Sequence, residues 1–492
     1  MTHDCDVLIA GGGPTGVTLA ILLAKRGVKV IVAEKEAAIY PLPRAAHVDH
    51  ECMRILQEAG VADAVMATSR RAARYDFLNA KGDVLLRFDG ADQIGPGGWP
   101  VANMIHQPSV EAELRHVLAG LPGAALLTGS ALSGFTADAD GVTAQIGERM
   151  IRARYLVGAD GARSPVREAS GITFDDLGFE EPWLVVDMLV DDPARLPTAN
   201  LQICNPVRPT TCVLMGEGRH RWEYMILPGE TAEQVSDDAF IARLMAPWNV
   251  EGAVRLERKA VYTFRARIAR AWRQGRVLLA GDAAHQTPPF AGQGMCAGLR
   301  DAANLAWKLA DVVHGRAGDG LLETYQPERE PHVRATIAMA IMMGRMVCTT
   351  SRWAAFVRDL KFKLAQALGK LPDGPPAYPA VSAGVIMAGN ASAGSYFPQL
   401  AGADGQRLDD ILGVQAWLIG TLPAGLEAPQ DVTALSLDDA RLAGWQAPLQ
   451  KWLAKAGTAA VLVRPDRHVF GAGAAADLLT AWQRAVSPAP AP

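Results

Sequence analysis

The chain has 492 residues, 49% of them apolar and 20% charged, with a formal net charge of −4. That is room for two or three domains with ordinary cores. The weakly acidic balance gives no reason to expect nucleic acid or an anionic membrane as partner. No apolar run reaches the roughly 18 residues needed to span a bilayer. The nearest approach, residues 335–347, is broken by Thr336, Gly344 and Arg345 and reads as a buried helix. The N-terminus has no basic stretch before an apolar run and does not read as a signal peptide. Cys5, Cys52, Cys204, Cys212, Cys296 and Cys348 are scattered without a C-x-x-C pair. This predicts reduced thiols in a cytoplasmic protein and argues against a zinc ribbon or a redox disulfide.

In chain order, residues 4–35 read as strand, glycine turn, helix and strand, the βαβ unit of a parallel sheet. The helix over 17–24 stops at Lys25-Arg26-Gly27, basic residues and then a glycine. The run from His47 to Cys52 holds two histidines, an aspartate, a glutamate and a cysteine. It lacks the i, i+4 histidines of H-E-x-x-H, so it reads as a helix entrance and no metal is expected. Residues 77–88 read as a hairpin with a Gly82-Asp83 turn, and 181–268 hold further strand-like runs, including 183–189 and 222–227, with a helix at 239–246. Parallel-sheet character returns at 276–280, followed by a helix from about 299 to 313 and helical patterns to about 370. A proline-rich linker covers 371–379, a hairpin covers 459–470, a helix covers 474–486, and a Pro-Ala tail follows that is expected to be disordered. The predicted fold class is α/β. A Rossmann-like domain of 1–75, 101–180 and 269–345 is interrupted by a β-rich substrate domain of 76–100 and 181–268. Then come a helical segment and linker of 346–395, a C-terminal unit of 396–486 and the tail 487–492.

Three separated motifs carry the chemistry. Gly11, Gly13 and Gly16, with Pro14 and Thr15 between, form G-x-G-x-x-G directly after a strand. A tight turn needs backbone freedom, an absent Cβ lets a pyrophosphate approach, and a helix N-terminus supplies free N–H groups. Glu34, at the end of the second strand and followed by Lys35, is placed to accept a ribose hydroxyl and would repel a 2′-phosphate. Asp160-Gly161 ends another strand; it reads equally as a turn that starts a helix with Ser164 as N-cap and Pro165 at N1. Asp282 closes a third strand and leads into Pro288-Pro289-Phe290-Ala291-Gly292-Gln293-Gly294-Met295. This is a stiff loop whose N–H groups suit an electron-rich ring edge such as the flavin N1/C2=O. Their order and spacing point to FAD.

On these motifs, the sequence over roughly 4–345 resembles the single-component FAD-dependent aromatic hydroxylases of the para-hydroxybenzoate hydroxylase type. It looks most like the 3-(3-hydroxyphenyl)propionate hydroxylase group through Pro43-Arg44-Ala45, His106-Gln107-Pro108, Arg221-Trp222-Glu223, Gly292-Gln293-Gly294 and the stretch from Arg300 to Leu309. The C-terminal unit resembles a thioredoxin-like domain without its C-x-x-C. The resemblance implies that Gly11, Gly13, Gly16 and Glu34 hold the ADP half of FAD and that Arg44 and Gln107 lie by the pyrophosphate and flavin. It implies further that Asp160 serves FAD and NAD(P)H, that Asp282 takes the ribityl hydroxyls, and that Pro289, Gly292, Gly294 and Met295 frame the ring. Cys296 stands where many relatives carry Asn. The implied reaction consumes NADH or NADPH and O₂ and hydroxylates a phenolic ring through a flavin C4a-hydroperoxide, the cofactor carrying the hard step.

The remaining readings concern substrate and class. His47 and Tyr224 are the leading candidates for a group that promotes phenol ionisation, with Asp49 and His285 behind them. Tyr224 shares a strand face with Trp222 and Ile226, which is expected to line the cavity. A lining of Arg208, Arg219, Arg221, Trp183 and Trp222 leaves a phenolic acid open as the substrate, and a homodimer is open as the assembly. Alternatives are another flavin monooxygenase on this scaffold, such as a polyketide hydroxylase or an epoxidase, and a non-catalytic FAD-binding protein. A W-x-W-x-I-P halogenase signature and a cysteine pair for dithiol chemistry are missing from the sequence.

Overall fold

The computed structural model describes residues 3–41, 44–371, 378–402 and 405–487. Most of the proline-rich linker and all of the tail after Ser487 lie outside them. The first sheet is built on five parallel strands in the order Val277–Leu279, Arg149–Gly158, Cys5–Ala10, Val30–Ala33, Ala124–Leu127. The central side chains, including Val7, Leu8, Ile9, Val30, Val32, Leu156, Val157, Leu278 and Leu279, are fully buried. That two-sided burial is what a parallel sheet with covered faces requires. Arg273–Gln274 adds an antiparallel edge, and Leu132–Ala137 with Val142–Ile146 form an antiparallel meander on the Arg149–Gly158 strand. The helices Pro14–Ala24 and Gly294–Val313 pack side by side on this sheet. Their close approach depends on glycine. A Cβ on Gly298 would come within 2.3 Å of the Thr15 hydroxyl, and one on Gly281 within 2.9 Å.

The second sheet has eight strands. The long strands Phe174–Val190 and Val254–Ala269 pair with each other. Arg219–Met225, Thr210–Leu214, Asn200–Cys204, Arg74–Asn79 and Val84–Asp89 continue from the first of them, and His285–Gln286 pairs with the second. The predicted hairpin at 77–88 is present and joins this sheet through a parallel pairing with Asn200–Cys204. One face packs under the helix Asp238–Met245, with Leu184, Val186, Trp222, Tyr224 and Ile226 forming that core. The other face looks toward the Pro289–Ala291 turn, where Trp183 packs edge-on against Phe290 at 5.6 Å.

The C-terminal segment forms a four-stranded sheet in the order Val432–Ser436, Ala416–Gly420, Ala460–Val463, Val469–Gly473, the first pair parallel and the others antiparallel. It docks on the long helix Gly294–Val313 through stacked Trp307 and Trp482 and a fully buried charge cluster. In that cluster Glu328 accepts from Arg464 at 2.6 Å and is ion-paired with Lys308 at 2.8 Å. One expected boundary moves. The helix read from about 299 begins at Gly294, because Gly294 and Met295 are its first turn, leaving their N–H groups unpaired within the helix. The helix Tyr325–Val347, within the stretch expected to be helical to about 370, carries Pro331 inside it. Among the described residues, no helix is long and apolar enough to cross a membrane.

Candidate functional site

The strand-end motifs meet at one edge of the parallel sheet. Gly11 has φ +107, and a Cβ there would stand 2.3 Å from the Ala159 carbonyl oxygen; a Cβ on Gly16 would stand 2.0 Å from the Gly11 oxygen. These two glycines serve the fold itself. Gly13 differs: a Cβ there meets nothing within 4 Å, so the space over the helix N-terminus is open to a ligand. Glu34 accepts from Gly12 N at 2.6 Å and from Glu36 N at 2.9 Å. A carboxylate has about four lone-pair sites, so capacity for a ribose hydroxyl remains. Lys35 is exposed, 3.9 Å from the Glu36 carboxylate. Pro14 is N1 of the helix, and the Thr15 side chain fills the gap between Gly281 and Gly298, a packing role.

Asp160 Oδ2 accepts from Val166 N at 3.0 Å, while its buried Oδ1 has no partner among the described residues. Burial pushes its carboxyl above the ordinary range, with Ser164 and the Val166 N–H opposing. Ser164 also caps the following helix through Arg167 N, so the turn reading and an orphaned acceptor hold together. Asp282 is half-buried and is in no hydrogen bond with a described residue. The residues after it are anchored by buried Asp301, which accepts from Gly281 N at 3.0 Å and Arg329 Nε at 2.9 Å and bonds His285 Nε2 at 2.6 Å. His285 is therefore held inside the structure, away from the open side.

Gln107 ties down the loop after the second strand: its Oε1 accepts from Arg44 N at 3.0 Å and Ala45 N at 2.7 Å. The Arg44 side chain is exposed, and its carbonyl accepts from Arg221 at 3.0 Å. His47 sits under the ring loop with Nδ1 3.2 Å from the Gly292 oxygen. Burial disfavours a charged imidazole there, yet Cys296, Asp49 and the Gly292 carbonyl together hold its pKa above the ordinary value. Cys296 turns back toward His47 and Cys52 beneath the loop. Gly292 takes φ +64, Pro289 starts the turn, and a Cβ on Gly294 would have only the Thr287 carbonyl oxygen near it, at 3.9 Å. Asp49, Cys52 and Cys296 bring ligand-type atoms within 4.8 Å of one another. The Asp49 carboxylate is already engaged by Cys52 N at 2.9 Å and Arg300 at 2.8 Å.

Tyr224 does not join this group. Its hydroxyl donates to the Leu244 carbonyl at 3.1 Å, inside the core beneath the helix. Trp222 shares that core, Arg208 is paired with Glu230, and Arg219 is paired with Glu257. The physical reason is the alternation of the strand: the apolar face is covered by a helix, and the polar face is the one turned to the loop. That face carries residues the sequence reading missed. Gln202 Nε2 donates to Tyr75 Oη at 2.6 Å, Thr211 donates to Gln202 Oε1 at 2.7 Å, and Tyr75 donates to the Phe290 carbonyl at 3.0 Å. Arg221 and Arg258 both bind buried Asp187. Arg115 is a further omission: it donates to the Gly12 carbonyl at 2.9 Å and leaves a buried Nε without partner beside the glycine turn. The i, i+4, i+8 spacing of Gln107, Glu111 and Arg115 was the available signal.

An open seat over a helix N-terminus, a strand-end acid, a free carboxylate at Asp282 and unpaired N–H groups at Gly294 and Met295 are the parts a flavin dinucleotide needs, and the residues fit it. The fold and site define a flavin-dependent oxidoreductase. Residues 4–340 match the FAD binding domain family, and the chain belongs to it. It is 36% identical to a probable NADH-specific resorcinol 4-hydroxylase of Rhodococcus jostii over 99% of this chain and 97% of that one. It is 41% identical to a 3-(3-hydroxy-phenyl)propionate/3-hydroxycinnamic acid hydroxylase of a Mycobacterium strain over 72% of this chain and 62% of that one. Among solved structures, aklavinone-11 hydroxylase with FAD and aklavinone superposes with a TM-score of 0.76 at 26% identity, covering 99% of both chains. The protein is an FAD-dependent monooxygenase of the aromatic hydroxylase type.

Proposed function

We propose that the protein hydroxylates a phenolic ring held between the polar face of the eight-stranded sheet and the Pro288–Met295 loop, consuming O₂ and NADH or NADPH. The observation that carries this reading is the hydrogen-bonded row Thr211, Gln202, Tyr75 ending on the Phe290 carbonyl. It brings a substrate-type polar face to the loop that suits a flavin ring. In this reading Gly13 and Glu34 seat the ADP half, Arg115 steadies the glycine turn, Asp160 and Asp282 take the linking hydroxyls, and Gly294 and Met295 present N–H groups to the ring. Bound FAD supplies reduction by the nicotinamide and activation of oxygen. The chain supplies binding, dryness and orientation. His47, against the ring loop, is the remaining sequence-derived candidate for moving a proton near the substrate.

The eight-stranded sheet supports a substrate-binding domain inserted in the FAD-binding domain. The mixed four-stranded sheet with flanking helices Gln446–Ala456 and Ala475–Val486 supports a thioredoxin-like C-terminal unit. The exposed apolar stripe of Trp353, Phe356, Leu360, Leu364 and Leu368 on helix Arg352–Ala367 and the residue after it supports a homodimer, and the free cysteines support a cytoplasmic location. The test is a panel of phenols offered to the purified yellow protein. NADH and NADPH oxidation are followed together with the product's mass. At least one phenol is expected both to stimulate oxidation and to gain one oxygen. Failure of every phenol to do both overturns the proposal.

A further inference from the structure

Glu223 is the unexplained group on the polar face. Sheet register sets it in one cross-strand row with Val185, Thr211, Gln202 and Phe77, the row that carries the hydrogen-bonded chain to Phe290. It is 7% exposed, yet its carboxylate is in no hydrogen bond with a described residue. Its nearest charged neighbour is Arg221, at 3.7 Å. A largely buried carboxylate that receives no hydrogen bond and whose ion-pair contact is as long as 3.7 Å keeps capacity to accept one. A ligand hydroxyl is the partner its position allows.

The surrounding charges restrict which ligand. Arg221 binds Asp187 at 2.6 Å, and Arg258 binds the same carboxylate at 3.0 Å and also reaches Tyr262. Two arginines thus face Asp187 and Glu223, and the cluster is balanced before any substrate arrives. A ring bearing its own carboxylate would add an anion beside Glu223, and its cross-strand row of Val185, Thr211, Gln202 and Phe77 holds no cation to meet it.

We propose that Glu223 accepts the hydroxyl hydrogen of the phenolic substrate and so selects uncharged phenols over phenolic acids. The inference rests on the hydroxylase reading above. As the hydroxyl ionises, its O–H bond breaks, the proton passes to the Glu223 carboxylate, and the negative charge stays on the ring oxygen, which activates the ring. Burial pushes the Glu223 carboxyl up to about 7 against the pull of Arg221 and Arg258, with Asp187 adding to the rise. The groups facing it are Arg221 on its own strand, Asp187 on the adjacent strand, Arg258 on the strand beyond that, and Tyr75 across the sheet. Protonation removes the acceptor, so binding of a hydroxyl donor weakens as pH falls through about 7.

The experiment titrates resorcinol and 3-hydroxybenzoate into the FAD-loaded protein, reading the perturbation of flavin absorbance from about pH 6 to 8. Wild type is expected to prefer resorcinol and to bind it more weakly at the acid end. Glu223→Gln is expected to weaken resorcinol binding about 10- to 100-fold, the worth of a hydrogen bond to a charged group. It should also flatten the pH dependence without changing FAD content, and Glu223→Asp should recover part of the loss. Tighter binding of the acid by wild type, or a Gln variant with unchanged affinity and pH slope, overturns the proposal. If the variants do not fold, the wild-type preference and pH slope decide it. Should wild type hydroxylate no phenol, the functional reading itself fails and this inference falls with it. If phenols are turned over and Glu223→Gln behaves as wild type, only the role of Glu223 fails.

Discussion

Replacing Gly13 by alanine separates what the fold needs from what the cofactor needs. Gly13 has φ −79 and ψ −176, a backbone any residue adopts, and its Cβ would meet no protein atom within 4 Å. The apoprotein should therefore be as stable as wild type, or more stable by about 0.4–1 kcal/mol, because alanine restricts the unfolded chain. The added methyl stands where the pyrophosphate must approach. Losing even one charge-assisted hydrogen bond there is worth about 1.5–3 kcal/mol, or roughly 10- to 100-fold in FAD affinity. Gly11→Ala is the control. A positive φ and a 2.3 Å clash with the Ala159 oxygen should cost the apoprotein more than about 2 kcal/mol whether or not FAD is present. Fluorescence titration of FAD into each apoprotein, with thermal melts, reads both quantities. A Gly13→Ala protein with wild-type affinity, or one as destabilised as Gly11→Ala, would refute the reasoning.

Asp282→Ala should weaken FAD strongly while leaving the apoprotein melt unchanged, since the carboxylate is in no hydrogen bond with a described residue; full flavin retention after gel filtration counts against the ribityl placement. Tyr224→Phe removes one hydrogen bond to the Leu244 carbonyl and should cost about 1 kcal/mol of stability with kcat/KM unchanged; a tenfold loss of activity in a stable variant would return Tyr224 to the site. Arg464→Ala breaks the fully buried contact with Glu328 and should destabilise by roughly 3–5 kcal/mol in denaturant titration; a loss under about 1 kcal/mol would mean the pair is not buried in solution. Burial alone would raise Glu328, but Arg464 and Lys308 override it and hold it at about 2, below the ordinary 4.5. Its stabilisation is thus complete above the ordinary value and is lost as pH falls from there toward 2, and Glu328→Gln should flatten that acid limb of the stability profile.

The first βαβ unit and its glycines were readable because local rules decide them: strand, tight turn and helix follow one another within a few residues. The same holds for Ser164 and Pro165 at a helix start and for the 77–88 hairpin. What escaped was set by contacts distant in sequence. Trp222 and Tyr224 looked like a cavity wall because aromatic residues alternate there, and nothing local says that the helix Asp238–Met245 covers them. Once that face is covered, Arg221 and Glu223 must be the side turned to the loop. Tyr75 lies far along the chain from Gln202 and Thr211, and only the parallel pairing of Arg74–Asn79 with Asn200–Cys204 brings it beside them. Arg115 lies a hundred residues from the turn it braces.

The helix Gly294–Val313 has a double assignment with a practical outcome. Its first turn lies at the ring loop, and its far half carries Trp307 and Lys308 against the C-terminal unit. Trimming the protein at residue 395 would not simply shed an appendage. It would strip Arg464 from the cluster, expose Trp307 and leave Lys308, on this rod, and Glu328, on the helix Tyr325–Val347, to rearrange. Attempts to minimise this enzyme for crystallisation or engineering should therefore remove surface stretches and keep the C-terminal sheet, which behaves as the foundation of a helix whose other end is proposed to face the flavin.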